Sequence, residues 1–459
     1  MSNISYVQPI ISYERTYTSP KAFAHILGYV NPPSKKDLKG ISKNLLNVPN
    51  LKIGKNGLEK KYEKIMLGSP GKTIIETDAF GRQVKLIRSE IGVSGNNLQT
   101  TLDQDLQIYG LKTLGSDSGS ITIMKTTGEI RCCVSSPSYD SNLFTHGINK
   151  FQFNKYLKDE KKPLSNKALS SNYPPGSTLK MIVALSALEN KVIDLNFKIK
   201  CKESTEYFGQ KYHCWKKKGH GDVNFKKAIK ESCDIWFYEV ARLLGIDKLQ
   251  VTAARFGLGS YVLDNFMEEK KGVIPSTKWK KKYIGQPWYL GETIIAGIGQ
   301  GYVQTTPIQL CKMIAQIANG GYLIKPSFDA SSKFELGKKI IENDLHLFAI
   351  RDSLNVATNE WRGTSYGSRI KKGDLKFCGK TGTSQVRKIT EEQRRKEIKN
   401  EELPWKFRDH SLFTGYGPTD NPEYAISVVI DHGGNGSAKA APIAKRMMSK
   451  IFQLYYSKS

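Results

Sequence analysis

Residues 173–188 read YPPGSTLKMIVALSAL, and the rest of the chain is organised around this stretch. The Pro-Pro-Gly turn at residues 174–176 cannot lie inside a helix, because proline lacks a backbone N–H group and glycine is too flexible. The run that follows is helix-forming and apolar on nearly every face, which predicts a buried helix. Ser177 then lies at its first turn, among N–H groups that have no partner within the helix.

Ser177 and Lys180 are three residues apart, so both side chains lie on the same face of the predicted helix. Burial lowers the pKa of a lysine because the charged form loses its water. A neutral amine beside a serine hydroxyl can accept its proton, and this produces a nucleophile. The alternative is a serine that caps the helix and a lysine whose charged end reaches solvent, and these two residues alone favour that alternative.

Length and composition limit the possible classes of protein. The 459 residues predict two or three domains, and 39% hydrophobic residues are enough for a sizeable core. The formal net charge of +27 is spread along the chain without an RNA-binding signature or a helix-turn-helix pattern, so we predict no nucleic-acid partner. Seven cysteines, an odd number in a long chain, argue against a disulfide framework.

The sequence has no run of 18 apolar residues and no signal peptide after Met1, so taken alone it predicts a soluble protein that is not exported. We interpret residues 1–97 as a scaffold domain. Residues 98–459 contain two early strands, helices in the middle, three late strands and a terminal helix. This order predicts an α+β domain in which helices sandwich an antiparallel sheet. The charged run at residues 390–402 is predicted to be a solvated insertion.

Two later motifs form a set with the first. Ser232-x-Asp234 lies in a predicted break between two helices, and Lys380-Thr381-Gly382 lies on a predicted edge strand that glycine opens to close approach. Taken singly, the serine can be a helix cap and the third motif an ordinary turn. A Ser-x-x-Lys, Ser-x-Asn and Lys-Thr-Gly trio in this order is the signature of penicillin-interacting serine enzymes, so the set favours catalysis.

The chain resembles the penicillin-binding protein 2 family, the class B D,D-transpeptidases of rod-shaped cell elongation. The resemblance covers the chain from about residue 10 onwards, and the aspartate at the end of the second motif also looks like this family. It rests on YPPGST (173–178), WKKKGHG (215–221), GIGQGY (297–302), KTGT (380–383) and RDH (408–410). The departure is at the front, where the family has a cytoplasmic tail, a membrane helix and more of the N-terminal pedestal. This difference predicts a truncated or split gene, or a misassigned start.

The resemblance implies a penicillin-binding transpeptidase fold with a five-stranded antiparallel sheet, preceded by a partial pedestal domain. It also implies a serine-type D-Ala-D-Ala transpeptidase that needs no cofactor for its chemistry. Ser177 attacks the carbonyl between the last two D-alanines of a stem peptide, and Lys180 accepts its proton. An amine from a neighbouring stem then attacks the acyl-enzyme to form the cross-link.

Further roles follow from the same resemblance. Ser232 relays a proton to the leaving amine, Asp234 holds Lys180 and the loop, and Lys380 supplies positive charge near the substrate carboxylate. The backbone N–H groups of Ser177 and Thr383 form the oxyanion hole. The implied substrate-binding residues are Thr381, Gly382 and Thr383.

Four soft metal ligands lie within 33 residues: Cys201, Cys214, His220 and Cys233. A Cys₃His set suits structural zinc, with all four tetrahedral positions filled. A Cys201–Cys214 disulfide and buried free thiols remain alternatives, and His213 is an alternative ligand. Some members of the resembled family hold zinc here with Asp, Asp, His and Cys. We predict that the metal ties Cys233, and so the second motif, to the preceding hairpin, and we assign the other four cysteines to the core.

The resemblance implies peptidoglycan stem peptides and β-lactams as ligands and a membrane glycosyltransferase of the elongation machinery as a partner. It also implies a position on the periplasmic face of the bacterial inner membrane. The alternatives are a serine β-lactamase or D,D-carboxypeptidase of the same fold, and an inactive truncated remnant or binding module. A β-lactamase needs a deacylating base, and the sequence has no Glu-x-x-Leu-Asn loop.

Overall fold

A computed structural model describes residues 14–41, 43–371, 375–387 and 399–456. The chain divides into two compact units. The first takes in the described residues up to Asn97 together with Ser138–Asp159, a stretch that the sequence analysis assigned to the second domain. The second unit comprises Leu98–Pro137 and the described part of Glu160–Ser459. Most of the charged run at 390–402 falls outside the described residues.

Both units contain strands and helices. The strands are β1 (Val30–Asn31), β2 (Ile53–Gly54), β3 (Lys72–Thr77), β4 (Gln83–Glu90), β5 (Gly119–Lys125), β6 (Ile130–Ser136), β7 (Ile199–Cys201), β8 (Ser204–Tyr207), β9 (Gln210–His213), β10 (Gly221–Val223), β11 (Cys378–Ser384), β12 (His410–Gly417) and β13 (Tyr424–Ile430). The helices are α1 (Ala24–Leu27), α2 (Lys43–Leu46), α3 (Gly57–Lys61), α4 (Glu63–Met66), α5 (Gln104–Leu114), α6 (Ser141–His146), α7 (Lys150–Lys158), α8 (Lys167–Ser170), α9 (Lys180–Glu189), α10 (Phe225–Lys230), α11 (Asp234–Leu244), α12 (Ile246–Arg255), α13 (Thr277–Ile284), α14 (Leu290–Ala296), α15 (Pro307–Ala318), α16 (Asp344–Asn359) and α17 (Ala440–Tyr455).

The first unit is built from short elements packed around aromatic rings. The ring of Phe144 lies 4.8 Å from that of Tyr29 and 5.0 Å from that of Tyr139. The Tyr139 hydroxyl donates to the carbonyl of Ala24 at 3.0 Å, so the phenol is satisfied although it is buried. Strands β3 and β4 form an antiparallel hairpin in which every strand residue is exposed.

The second unit contains an antiparallel five-stranded sheet in the order β11-β12-β13-β5-β6, which confirms the predicted fold class. Alternate residues of a strand point to opposite faces, and here both faces are covered. On one face, Ile426 and Val428 of β13 belong to a buried core with residues of α5 and α17. On the other, α15 places Cys311 Sγ 3.4 Å from the carbonyl oxygen of Thr122 and 3.5 Å from that of Ala425.

Local sequence signals explain where the helices around the sheet begin and end. Thr306 and Gln309 form a capping box at the start of α15, and Pro307 is its first residue. Helix α11 ends at Gly245, whose backbone φ of 81° favours glycine. Helix α9 is buried from Lys180 to Leu188, as its apolar sequence predicts. Among the described residues, none of the helices combines the length and apolar character needed to cross a membrane.

Candidate active site

Ser177 lies in a single 3₁₀ turn, Gly176–Thr178, that leads directly into α9. Gly176 has a φ of +54°, and a Cβ atom there would lie 2.6 Å from the carbonyl oxygen of Thr383 on β11. The Gly176 N–H group donates to the carbonyl of Gly299 in the glycine-rich loop at 2.9 Å. The turn is thus held between an edge strand and a loop, and Ser177 itself stays half-buried.

Lys180 is completely buried one turn after Ser177, and it joins the first motif to the second. Its Nζ atom donates to Asp234 Oδ1 at 2.7 Å, to the carbonyl of Ser232 at 2.9 Å and to Ser232 Oγ at 3.1 Å. These acceptors match the three hydrogens of an ammonium group. The ring of Phe237 lies 5.2 Å from the same nitrogen.

The second motif occupies a strained break between α10 and α11. Ser232 has a φ of +56°, a conformation that non-glycine residues rarely adopt and that costs about 1–3 kcal/mol. The next N–H group, that of Cys233, donates to the carbonyl of Ala228 at 3.0 Å. Asp234 is the first residue of α11, where the helix dipole favours a carboxylate. Its Oδ2 atom accepts the backbone N–H of Trp215 at 2.9 Å.

The third motif lies on β11, which is an edge strand as predicted. Lys380 is completely buried, and its Nζ atom donates to the carbonyl of Thr381 at 3.2 Å. Burial, and after it the charge of Lys180, holds the pKa of Lys380 well below its ordinary value, while the carboxylate of Asp234 opposes this shift. A Cβ atom at Gly382 would lie 3.0 Å from Thr178 Cγ2, so glycine lets the strand approach the serine turn.

Thr383 follows on the same strand and is half-buried, like Ser177. Its hydroxyl accepts the N–H of Gly436 at 3.3 Å, and its carbonyl accepts the side-chain amide of Gln300 at 3.2 Å. The three predicted motifs therefore meet. Lys180, Lys380 and Asp234 are buried, whereas Ser177 and Thr383 are half-buried. A serine one turn before a buried lysine is an arrangement that suits nucleophilic acyl transfer.

The four predicted metal ligands also converge in the structure. The ligand atoms of Cys201, Cys214, His220 and Cys233 lie within 4.8 Å of one another, and all four residues are buried. His220 Nδ1 lies 3.5 Å from Cys201 Sγ and 3.4 Å from Cys214 Sγ. Usual zinc bond lengths and tetrahedral angles place nitrogen and sulfur ligands about 3.6 Å apart, so the spacing fits this ion. His213, the alternative ligand, does not belong to this group.

The cluster offers three thiols and one imidazole that could hold a metal ion. Hydrogen bonds among the three thiols hold the pKa of Cys214 well below its ordinary value and raise the pKa values of Cys201 and Cys233, so one thiolate is favoured within the cluster. His220 Nε2 lies 3.9 Å from a carboxylate oxygen of Glu231, and metal-bound histidines commonly direct their second nitrogen at a carboxylate. Cys201 and Cys214 are free thiols, and the four cysteines outside the cluster are buried.

Short strands bring these ligands together from separate parts of the chain. β7 pairs with β10 so that Cys201 lies opposite Gly221, and the His220 N–H donates to the Cys201 carbonyl at 3.2 Å. Cys214 directly follows β9, and its N–H donates to the carbonyl of Glu203 at 2.8 Å. The fourth ligand lies between the two named residues of the second motif.

Sequence reasoning assigned no role to Trp215 or Gln300, although both donate hydrogen bonds to the motifs. Trp215 lies in WKKKGHG and Gln300 in GIGQGY, two of the stretches on which the family resemblance rests, and this was the only sequence signal for either residue. Neither stretch indicates by itself which backbone group the side chain binds.

Comparisons with known proteins agree with this geometry. The family model for the penicillin binding protein transpeptidase domain matches residues 119–449, and that for the penicillin-binding protein dimerisation domain matches residues 1–100. A curated relative, the peptidoglycan D,D-transpeptidase MrdA of Salmonella typhimurium, is 33% identical over 471 residues, which cover 96% of this chain and 73% of the relative.

Two solved structures are similar along nearly the whole chain. A complex between penicillin-binding protein PBP2 and MreC from Helicobacter pylori matches with a TM-score of 0.86 and 32% identity, covering 96% of this chain and 79% of that chain. A solved structure of a peptidoglycan synthase complex, described as showing the structural coordination of polymerization and crosslinking, is also similar. It matches with a TM-score of 0.79 and 26% identity, covering 97% of this chain and 77% of that chain.

The buried state of Lys380 predicts that Lys380→Met raises the free energy of unfolding at pH 7, because methionine removes the cost of burying a charged amine. Because folding lowers the pKa of Lys380, the unfolded chain binds more protons at pH values between the folded and unfolded pKa. The stability of the native protein therefore rises with pH in that window, and the advantage of Lys380→Met should shrink towards pH 10. Denaturant unfolding at several pH values measures this difference.

Lys281→Met, which replaces an exposed lysine, serves as the control and should unfold like the native protein at each pH. An advantage of Lys380→Met that is absent, or that grows with pH, would contradict the buried position of the ammonium group.

Proposed function

Because the chain belongs to the penicillin-binding protein transpeptidase family, we propose that Ser177 is the nucleophile with which it cross-links peptidoglycan. The protein is a peptidoglycan D,D-transpeptidase, a serine acyl-transfer enzyme. The observation that carries the residue assignment is the set of hydrogen bonds from Lys180 to Ser232 and Asp234, one turn behind the half-buried Ser177. By resemblance, its cross-linking serves cell elongation.

In the acylation step, Ser177 Oγ attacks the carbonyl carbon of the penultimate D-alanine, and its proton passes to the Lys180 amine. Lys180 must first be in its amine form, and Ser232 and Asp234 are the groups in hydrogen-bonding distance through which its proton can leave. Ser232 then delivers a proton to the departing amine as the C–N bond breaks. An amine of a second stem attacks the resulting ester, forms the new amide and restores the serine hydroxyl.

Substrate recognition is assigned to the third motif. The hydroxyls of Thr381 and Thr383 suit the terminal carboxylate, and Gly382 allows the backbone to approach. An arriving carboxylate favours the charged form of Lys380, so substrate binding and protonation of this lysine are coupled. The backbone N–H groups of Ser177 and Thr383 are the proposed oxyanion hole, in which losing one donor costs about 10²–10³ in rate.

Cys201, Cys214, His220 and Cys233 are the residues that would hold a structural zinc ion. With four protein ligands the ion has no open position, so it would supply a cross-link and no catalytic step. The link would fasten Cys233, and so the strained Ser232, to Cys201 at the end of β7 and to the segment between β9 and β10 that carries Cys214 and His220. The matching spacing and the burial of the four ligands support this assignment.

We also infer partners and a location from the relatives. The similar H. pylori protein was solved with MreC, and the peptidoglycan synthase complex couples polymerization with crosslinking. A membrane glycosyltransferase that polymerises glycan is therefore the proposed partner of this chain. Its proposed location is the periplasmic face of the bacterial inner membrane, where stem peptides and β-lactams are encountered.

Labelling with a fluorescent penicillin tests the function directly. The native protein should take up one label per chain, and mass analysis should place it on the peptide that contains Ser177. Ser177→Ala should abolish labelling because the nucleophilic oxygen is lost. Ser186→Ala is the matched control. Ser186 lies on α9, the helix that follows the Ser177 turn, and its hydroxyl contacts that of Thr252 at 2.9 Å, so this variant should label normally.

The fate of the adduct separates the transpeptidase from its alternatives. A long-lived acyl-enzyme is expected here, whereas rapid release of hydrolysed penicillin would favour a β-lactamase. An adduct on another side chain, or no adduct, would contradict the assignment of Ser177.

Metal analysis tests the zinc assignment. Gently purified protein should contain about one zinc ion per chain, and Cys201→Ala or His220→Ala should lower its zinc content, its melting temperature and its penicillin acylation. Cys132→Ala removes a buried thiol outside the cluster and should keep the zinc. Native protein that contains no zinc would rule the site out.

A further inference from the structure

Trp215 lies between the cysteine cluster and the second catalytic motif. It directly follows Cys214, and its ring packs edge-on against that of His220 with 5.5 Å between centroids. Its indole Nε1 donates to the carbonyl of Ser232 at 3.0 Å and to that of Glu231 at 3.2 Å. Its backbone N–H donates to Asp234 Oδ2 at 2.9 Å. One residue therefore holds both ends of the catalytic loop.

The two groups that Trp215 holds are also the two that hold Lys180. Lys180 Nζ donates to Asp234 Oδ1, whereas the Trp215 N–H donates to the other oxygen of the same carboxylate. The carbonyl of Ser232 likewise accepts one hydrogen bond from Lys180 at 2.9 Å and one from the indole at 3.0 Å. The orientation of the acceptors around the buried lysine thus depends on Trp215.

Two further observations indicate that the hydrogen bonds, and not packing, are the contribution of this side chain. Trp215 is 58% exposed, so its burial explains little of its presence. Ser232 has left-handed backbone geometry that a non-glycine residue keeps only when its surroundings hold it. A hydrogen bond to the carbonyl of this same residue holds the peptide plane between Ser232 and Cys233, and so supports the strained backbone that carries the serine side chain.

We propose that Trp215 is a positioning residue for acylation, which keeps Ser232 and Asp234 in the orientation that Lys180 requires. Because Cys214 precedes it, Trp215 also connects this orientation to the cysteine cluster. The inference rests on the proposed function of Ser177, Lys180 and the second motif.

Trp215→Phe is the variant that tests this role. Phenylalanine keeps a ring against His220 and keeps the backbone bond to Asp234, and it removes only the indole donor. The rate constant of acylation by penicillin, k2, should fall about tenfold, as expected for losing a hydrogen bond to a catalytic loop. The dissociation constant for penicillin, the zinc content and the melting temperature should stay close to native values.

Trp288→Phe is the matched control. It also removes one indole hydrogen bond, from Nε1 to Thr293 Oγ1 at 2.7 Å, but this bond does not reach the three motifs. Its k2 should equal that of the native protein. A Trp215→Phe variant with native k2, or one whose k2 falls only together with its melting temperature, would overturn the positioning role. Failure of the native protein to acylate at Ser177 is a different result, which would overturn the proposed function instead.

Discussion

A single buried ammonium group, that of Lys180, determines how the site is assembled. Placing a charge in the protein interior costs several kcal/mol unless acceptors surround it. Here all its acceptors come from one loop, and they are the hydroxyl and carbonyl of Ser232 and the carboxylate of Asp234. The folded state is therefore stable only when helix α9 places Lys180 Nζ within hydrogen-bonding distance of that loop. The same constraint that stabilises the lysine places the proposed proton relay one turn behind Ser177.

The second buried lysine gives the site its electrostatic character. Lys180 and Lys380 share one nearby carboxylate, that of Asp234. Burial and the charge of Lys180 together depress the pKa of Lys380, so the charged form of Lys380 is unfavourable when the site is empty. A ligand with a terminal carboxylate would make the charged form of Lys380 more favourable. An edge strand is well suited to this task, because its free side lets an extended peptide align along it.

Sequence reasoning succeeded where local patterns carry the information. The apolar run after residue 180 predicted a buried helix, and the glycine of the Lys-Thr-Gly motif predicted a strand open to close approach. The pattern of residues 222–231 favours one continuous helix, and the structure differs there. The helix begins only at Phe225, because Gly221–Val223 pairs with β7. That pairing is a tertiary contact between residues about 20 positions apart, and helical periodicity cannot reveal it.

The three motifs differ in what holds their backbone, and this explains where the cysteine cluster lies. The first and third rely on glycine, since Gly176 and Gly382 allow the serine turn and β11 to approach each other closely. The second motif has no glycine, although Ser232 adopts a conformation that favours one. It needs support from outside, and Lys180, Trp215 and the adjoining Cys233 provide it. A metal cross-link would be of little use beside the glycine-based motifs, but at this strained break it would hold the hydroxyl that the chemistry uses.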